Sequence, residues 1–66
     1  MDIELNGAPH RVADRLDVQG LLASLDLVDK SLAVAINREI VPRSAWQERL
    51  LQPGDRVDIV RAIGGG

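Results

Sequence analysis

Arg56-Val57-Asp58-Ile59-Val60-Arg61-Ala62-Ile63 is the stretch that decides the architecture. Its first half alternates polar and apolar residues, the period-two pattern of a strand with one buried face. Val57 and Ile59 are expected to face a core, with Val60 and Ala62 directed away from it. Asp2-Ile3-Glu4-Leu5, at the other end of the chain, has the same character, with Ile3 and Leu5 flanking Glu4. These two segments are the first and last strands of the chain. They are expected to lie side by side in the middle of one sheet.

The rest of the chain fits around that pair. Asn6-Gly7 is the preferred dipeptide of a two-residue type I′ turn. The returning strand carries His10 and Val12 on one side, and Pro9, which has no N–H to give, places it at a sheet edge. Asp17 is a good N-cap. Val18, Leu21, Leu22 and Leu25 then recur at helical spacing and form one apolar stripe, a core face. Gly20 weakens that helix slightly. Leu32, Val34 and Ile36 alternate with Ala33 and Ala35 in a third strand. A turn near Asn37-Arg38 leads to a short strand within Arg38–Val41. Ser44 and Gln47 have capping-box spacing, which predicts one helical turn over Ala45–Arg49. Trp46 is expected to cover that turn. Gln52-Pro53-Gly54-Asp55 is a strong turn signal.

A hairpin, a helix and three further strands, with the first and last strands adjacent, describe an α+β roll of the β-grasp (ubiquitin-like) type. It has a mixed sheet and one main helix over one face. The domain is expected to span residues 1–63, with 64–66 a flexible glycine tail. The sheet face away from the helix then carries Ala33, Ala35, Val60 and Ala62, joined at the tail by Ile63. A polar surface is the norm for an open antiparallel face. A small apolar patch there marks a candidate partner-docking face.

Composition narrows the function. With 66 residues, one small domain has no room for both a core and a deep walled active site. Apolar residues make up 45% of the chain, as in a folded domain. Trp46 is the lone aromatic, so the core must come from Leu, Val, Ile and Ala. Eight basic and ten acidic residues are scattered without a basic run, against the electrostatic footprint of a nucleic-acid binder. There is no cysteine, which excludes disulfides, thiolate metal sites and a cysteine nucleophile. One histidine, His10, supports neither a metal cluster nor a catalytic triad, and it is read as a surface strand residue. The ten carboxylates fall mostly at turns, caps and outward strand positions, and no acid–base pair stands out. Asp2 and Glu4 follow Met1 directly, against a signal peptide, and no apolar run is long enough to span a membrane. A cytoplasmic monomer that binds no cofactor, metal, nucleic acid or membrane is the expectation.

Gly64-Gly65-Gly66 is the one feature these rules leave over. Glycine loses the most backbone entropy on ordering, so the triplet adds no stability. Three extended residues reach about 10 Å. The Gly66 α-carboxylate is ionised at neutral pH. A thin arm of this kind can thread a narrow cleft and present that carboxylate to the α-phosphate of ATP. By composition alone, a frayed end or a linker remnant fits as well.

A short β-grasp pattern ending in Gly-Gly resembles the ubiquitin-like sulfur carriers, and within them the ThiS family of thiamin biosynthesis. The matching segments are Leu5-Asn6-Gly7, Val41-Pro42-Arg43-Ser44-Ala45-Trp46 and Gly54–Gly66, together with the length. The resemblance implies that a ThiF-type adenylyltransferase uses ATP-Mg to adenylate Gly66. A cysteine desulfurase or rhodanese-type donor then supplies persulfide sulfur, and Gly66 becomes a thiocarboxylate. A ThiG-type thiazole synthase takes that sulfur into the thiazole ring. Gly65 and Gly66 are implied as the threading pair, with Gly64 as added length. The chain itself is then a cosubstrate and not an enzyme. A molybdopterin-type carrier, a ubiquitin-like modifier and a β-grasp binding module with an inert tail are the alternatives.

Overall fold

The computed structural model describes residues 1–27 and 31–61. β1 (Asp2–Leu5) and β2 (Ala8–Arg11) pair antiparallel, Ile3 opposite His10. Asn6 and Gly7 join them with φ of 48° and 84°, the left-handed pair that a type I′ turn needs. β3 (Leu32–Ile36) and β4 (Glu39–Val41) form a second hairpin over Asn37-Arg38, where φ is again positive at both residues. β5 (Arg56–Arg61) runs parallel to β1 and antiparallel to β3. The sheet order is β2-β1-β5-β3-β4, so β5 joins the two hairpins and Pro9 lies on an outer strand.

α1 (Val18–Ser24) buries Val18, Leu21 and Leu22 against the sheet. The Asp17 carboxylate accepts from the Gly20 N–H at 2.6 Å and caps the first turn. Gly20 has a second role beyond its helical cost. A Cβ there would lie 2.6 Å from Leu16 Cδ1 and 3.1 Å from Asp17 Oδ1, so glycine makes room for both the cap and Leu16. The helix ends earlier than the apolar stripe suggested, with Leu25 as its C-cap. Asp26 takes φ 59°, while its N–H donates to Ala23 and that of Leu27 to Leu22. This is a Schellman closure with aspartate in the usual glycine position. Replacing Asp17 with Ala removes the N-cap acceptor. The expected cost is about 1 kcal/mol, seen as a fall in Tm of about 4–8 °C in a domain of this size. An unshifted thermal melt would show that the cap contributes nothing.

The core comprises Ile3, Val18, Leu21, Leu22, Val34, Ile36, Trp46, Leu51 and Val57. Two sequence expectations change here. Trp46 does not merely cover a surface turn; it is the largest fully buried side chain, and no alanine belongs to this core. The segment before it is a short 3₁₀ turn, Arg43–Ala45, capped by Pro42 without a side-chain bond. Ser44 and Gln47 form no capping box, but the expected single turn is present: the Arg49 N–H donates to the Ala45 carbonyl at 3.0 Å. Pro42 presets the entry to the turn by its fixed φ, here −65°. The Trp46 indole N–H donates to the Val41 carbonyl at 2.9 Å and ties the turn back to the sheet.

Asp55 is the one buried charged residue of the described core. One carboxylate oxygen accepts from Asn37 Nδ2 at 3.1 Å, and the other accepts from the Gln52 N–H at 2.8 Å and Arg49 at 3.3 Å. The sequence placed it among exposed turn carboxylates. It instead fastens the β3–β4 turn to the entry of β5, fully partnered as a buried charge must be.

Candidate functional site

The β3–β5 register brings the expected docking residues together. Ala33 lies opposite Val60 and Ala35 opposite Asp58, and directly opposed residues share a face. Across the other ladder Ala35 is opposite Ile40. Ile40 therefore joins the face, although the sequence reading left it out. The alternation of Glu39-Ile40-Val41 was the available signal, but it assigns a face only once the two-residue turn at Asn37-Arg38 has set the register. Val60 is 59% exposed and Ile40 72%, while Ala33 and Ala35 are half-buried between them. Ala62, Ile63 and the glycines 64–66 lie outside the described residues.

The other half of this face is charged. Arg56 bridges Glu4 at 3.3 Å and Asp58 at 4.0 Å, and Arg11 meets Asp2 at 3.1 Å. The apolar patch therefore has one charged border, along β5 and β1. Such surface pairs contribute little to stability, but they limit how far an apolar partner surface can spread. β5 carries Val60 of the patch and ends at Arg61, and the sequence continues from there to Gly66.

Reactive chemistry is sparse. His10 is half-buried on the side of β2 opposite Ile3, and so is less exposed than a surface strand residue. Among the described residues no three metal-binding side chains cluster, and no helix is long and apolar enough to cross a membrane. Asp17 caps α1, Asp2, Glu4, Asp14 and Asp58 make surface pairs, and Asp55 forms the buried tie. What the described fold offers is a surface beside the strand that leads to the tail.

The ThiS family model matches residues 3–66. The chain belongs to the ThiS family. It is 36% identical to the sulfur carrier protein ThiS of Escherichia coli, with both chains covered completely. Identity to the Bacillus subtilis sulfur carrier protein ThiS is 35%, over 97% of this chain and 98% of that one. The chain is also 36% identical to part of a thiazole synthase from Magnetococcus marinus, where it spans 20% of that protein's length. The crystal structure of the thiamine biosynthesis protein ThiS from Geobacter metallireducens superposes with a TM-score of 0.88 at 32% identity, over the whole of both chains. The β-grasp reading of the ThiS chain therefore stands: a five-stranded mixed sheet with one helix.

Proposed function

We propose that this ThiS-family chain carries sulfur as a thiocarboxylate on Gly66 and delivers it for formation of the thiamin thiazole ring. The observation that carries the reading is the end-to-end match to sulfur carrier proteins in a chain with no cysteine. Without a thiol the chain cannot hold a persulfide, and an activated C-terminal acyl group is the remaining route. A carboxylate oxygen is a poor leaving group. Attack of the Gly66 carboxylate on the α-phosphate of ATP expels pyrophosphate and gives an acyl-adenylate. The terminal sulfur of a partner persulfide then attacks the acyl carbon, and AMP leaves. Reductive cleavage of the resulting S–S bond by the partner system frees the thiocarboxylate.

The chemistry belongs to the partners: a ThiF-type adenylyltransferase with ATP-Mg, a cysteine desulfurase or rhodanese-type donor, and a ThiG-type thiazole synthase. The similarity to part of a thiazole synthase supports the last of these. The chain contributes a docking face, Ala33, Ala35, Val60 and Ile40, and the arm Gly64-Gly65-Gly66. Ala62 and Ile63 connect the two. Glycine suits the arm because a Cβ would obstruct a close-fitting channel.

The test is the intact mass of the chain after incubation with the adenylyltransferase, ATP-Mg and a persulfide donor. An oxygen-to-sulfur mass gain is expected. An unchanged mass, with the partners active on another carrier, rejects the proposal. Ile40→Asp tests the docking face. Ile40 is exposed, so stability should move by no more than about 0.5 kcal/mol. A charge buried against an apolar partner surface should raise the carrier KM for adenylation about tenfold, or about 1.4 kcal/mol. An unchanged KM would remove Ile40 from the interface.

A further inference from the structure

β5 outruns one of its neighbours. Against β3 it pairs from Val57 to Arg61. Against β1 it pairs only at Arg56 and Val57, because β1 turns away at Asn6-Gly7. The Glu4 N–H donates to the Asp55 carbonyl and the Asn6 N–H to the Val57 carbonyl, both at 2.9 Å. Residues 57, 59 and 61 therefore direct their backbone groups to the β1 side, since both groups of one strand residue point the same way. The Ile59 N–H is met there by Asn6 Oδ1 at 2.8 Å. Beyond it come the Ile59 carbonyl and the Arg61 N–H, and among the described residues no strand continues on that side. A groove of about 220 Å³ opens at this edge, lined by Leu25, Leu27, Leu32, Ile59 and Arg61.

We propose that this open edge is a strand-addition site. An extended segment of the enzyme that activates Gly66 pairs with β5 beyond Asn6, in the lane that β1 vacates, and its inward side chain covers Leu25 and Leu27. Unpaired strand edges recruit strands in this way, with backbone bonds giving affinity and side pockets giving specificity. The position of the tail selects this occupant. Five residues follow Arg61 and reach about 16 Å, so an enzyme that holds Gly66 must pass close to the end of β5. A second copy of the chain is a poorer fit: its outer strands are β2, which contains Pro9, and the three-residue β4. The inference rests on the proposed activation of Gly66.

Position 61 isolates the edge. Its N–H faces the open side and not β3, so Arg61→Pro deletes the external donor while sparing the β3 ladder. Arg61→Ala removes the same guanidinium and keeps the N–H. The readout is the carrier KM in ATP–pyrophosphate exchange by a ThiF-type adenylyltransferase. R61P should have a KM about tenfold or more above that of R61A, and equal values overturn the proposal. The wild-type chain supplies a second readout by NMR, independent of any kink or misfolding from proline. The Arg61 amide should exchange about tenfold more slowly when the enzyme is bound, whereas the Ile59 amide, already held by Asn6, should change little. An unprotected Arg61 amide overturns the strand addition alone. Failure of the wild-type chain to support pyrophosphate exchange overturns the activation of Gly66, and the strand addition with it.

Discussion

Deletion of Gly66 is expected to abolish thiocarboxylate formation and leave the fold unchanged. The described core and sheet are built from residues 1–61, and a glycine has no side chain whose packing could be lost. The deleted chain still ends in glycine and still carries a carboxylate, now on Gly65. That carboxylate falls short by about 3.3 Å, one extended residue. A misplacement of 1 Å at a reacting centre already costs about 100-fold, so adenylation should drop by at least that factor. Thermal melts of the two chains should superimpose. Single-turnover adenylation measures the loss. A deletion chain adenylated within about tenfold of the full chain would mean that the enzyme does not measure the length of the arm. Gly66→Ala adds a complementary result, because it keeps the reach and enlarges only the last residue.

Trp46→Ala is expected to have the largest effect on stability. Trp46 is 2% exposed and is the largest fully buried side chain. Its indole N–H is bonded to Val41, and Arg43 lies over its ring, 5.5 Å from the centroid. Truncating a buried tryptophan costs about 3–5 kcal/mol. A native domain has about 0.05–0.15 kcal/mol per residue in total, or about 3–10 kcal/mol at this length. The substitution therefore removes much or all of the margin. Far-UV circular dichroism through a urea titration is the suitable probe, since the only fluorophore is lost. Trp46→Phe separates the contributions: it keeps most of the burial and gives up the N–H bond, for about 0.5–1.5 kcal/mol from the bond itself plus a volume term. A wild-type urea midpoint for Trp46→Ala would show that the 3₁₀ turn does not depend on its anchor.

Local signals predicted what local physics controls. Asn6-Gly7 set the first hairpin, Asp17 capped the helix, Pro9 marked an outer strand, and the alternation in Leu32–Ile36 and Arg56–Ile59 assigned the core face. The errors came where a distant partner decided the outcome. Ser44 and Gln47 have the spacing of a capping box, but no box forms, and a 3₁₀ turn entered from Pro42 precedes the expected turn at Ala45–Arg49. A lone tryptophan does not announce that it is central; its burial depends on the cavity left between α1 and the sheet. Asp55 is similar: a turn carboxylate by composition, but buried by Asn37 and Arg49, residues 18 and 6 positions away. Of the candidate site, Ala33, Ala35 and Val60 were placed correctly on one face by period alone. Ile40 required knowledge of the β3–β4 register. The asparagine side chains held a further surprise. Both turn asparagines reach β5, Asn6 to the Ile59 N–H at 2.8 Å and Asn37 to the Arg56 N–H at 3.0 Å.

The central place of β5 also bears on how the protein is made. The β1–β2 and β3–β4 hairpins share no ladder; each meets the other only through β5. β5 is the last of the described strands and is synthesised after the others. A nascent chain that has not yet released Arg56–Arg61 has two isolated hairpins, and such pairs are marginal alone in water. Folding must therefore wait for Arg56–Arg61 to emerge, and its decisive contact, β1 with β5, joins Glu4 to Arg56. Contacts of that separation slow folding. The same late segment leads directly into the glycine arm. Maturation of the fold and exposure of the reactive end are thus coupled in time, and a truncated product that has lost β5 loses its arm along with its sheet.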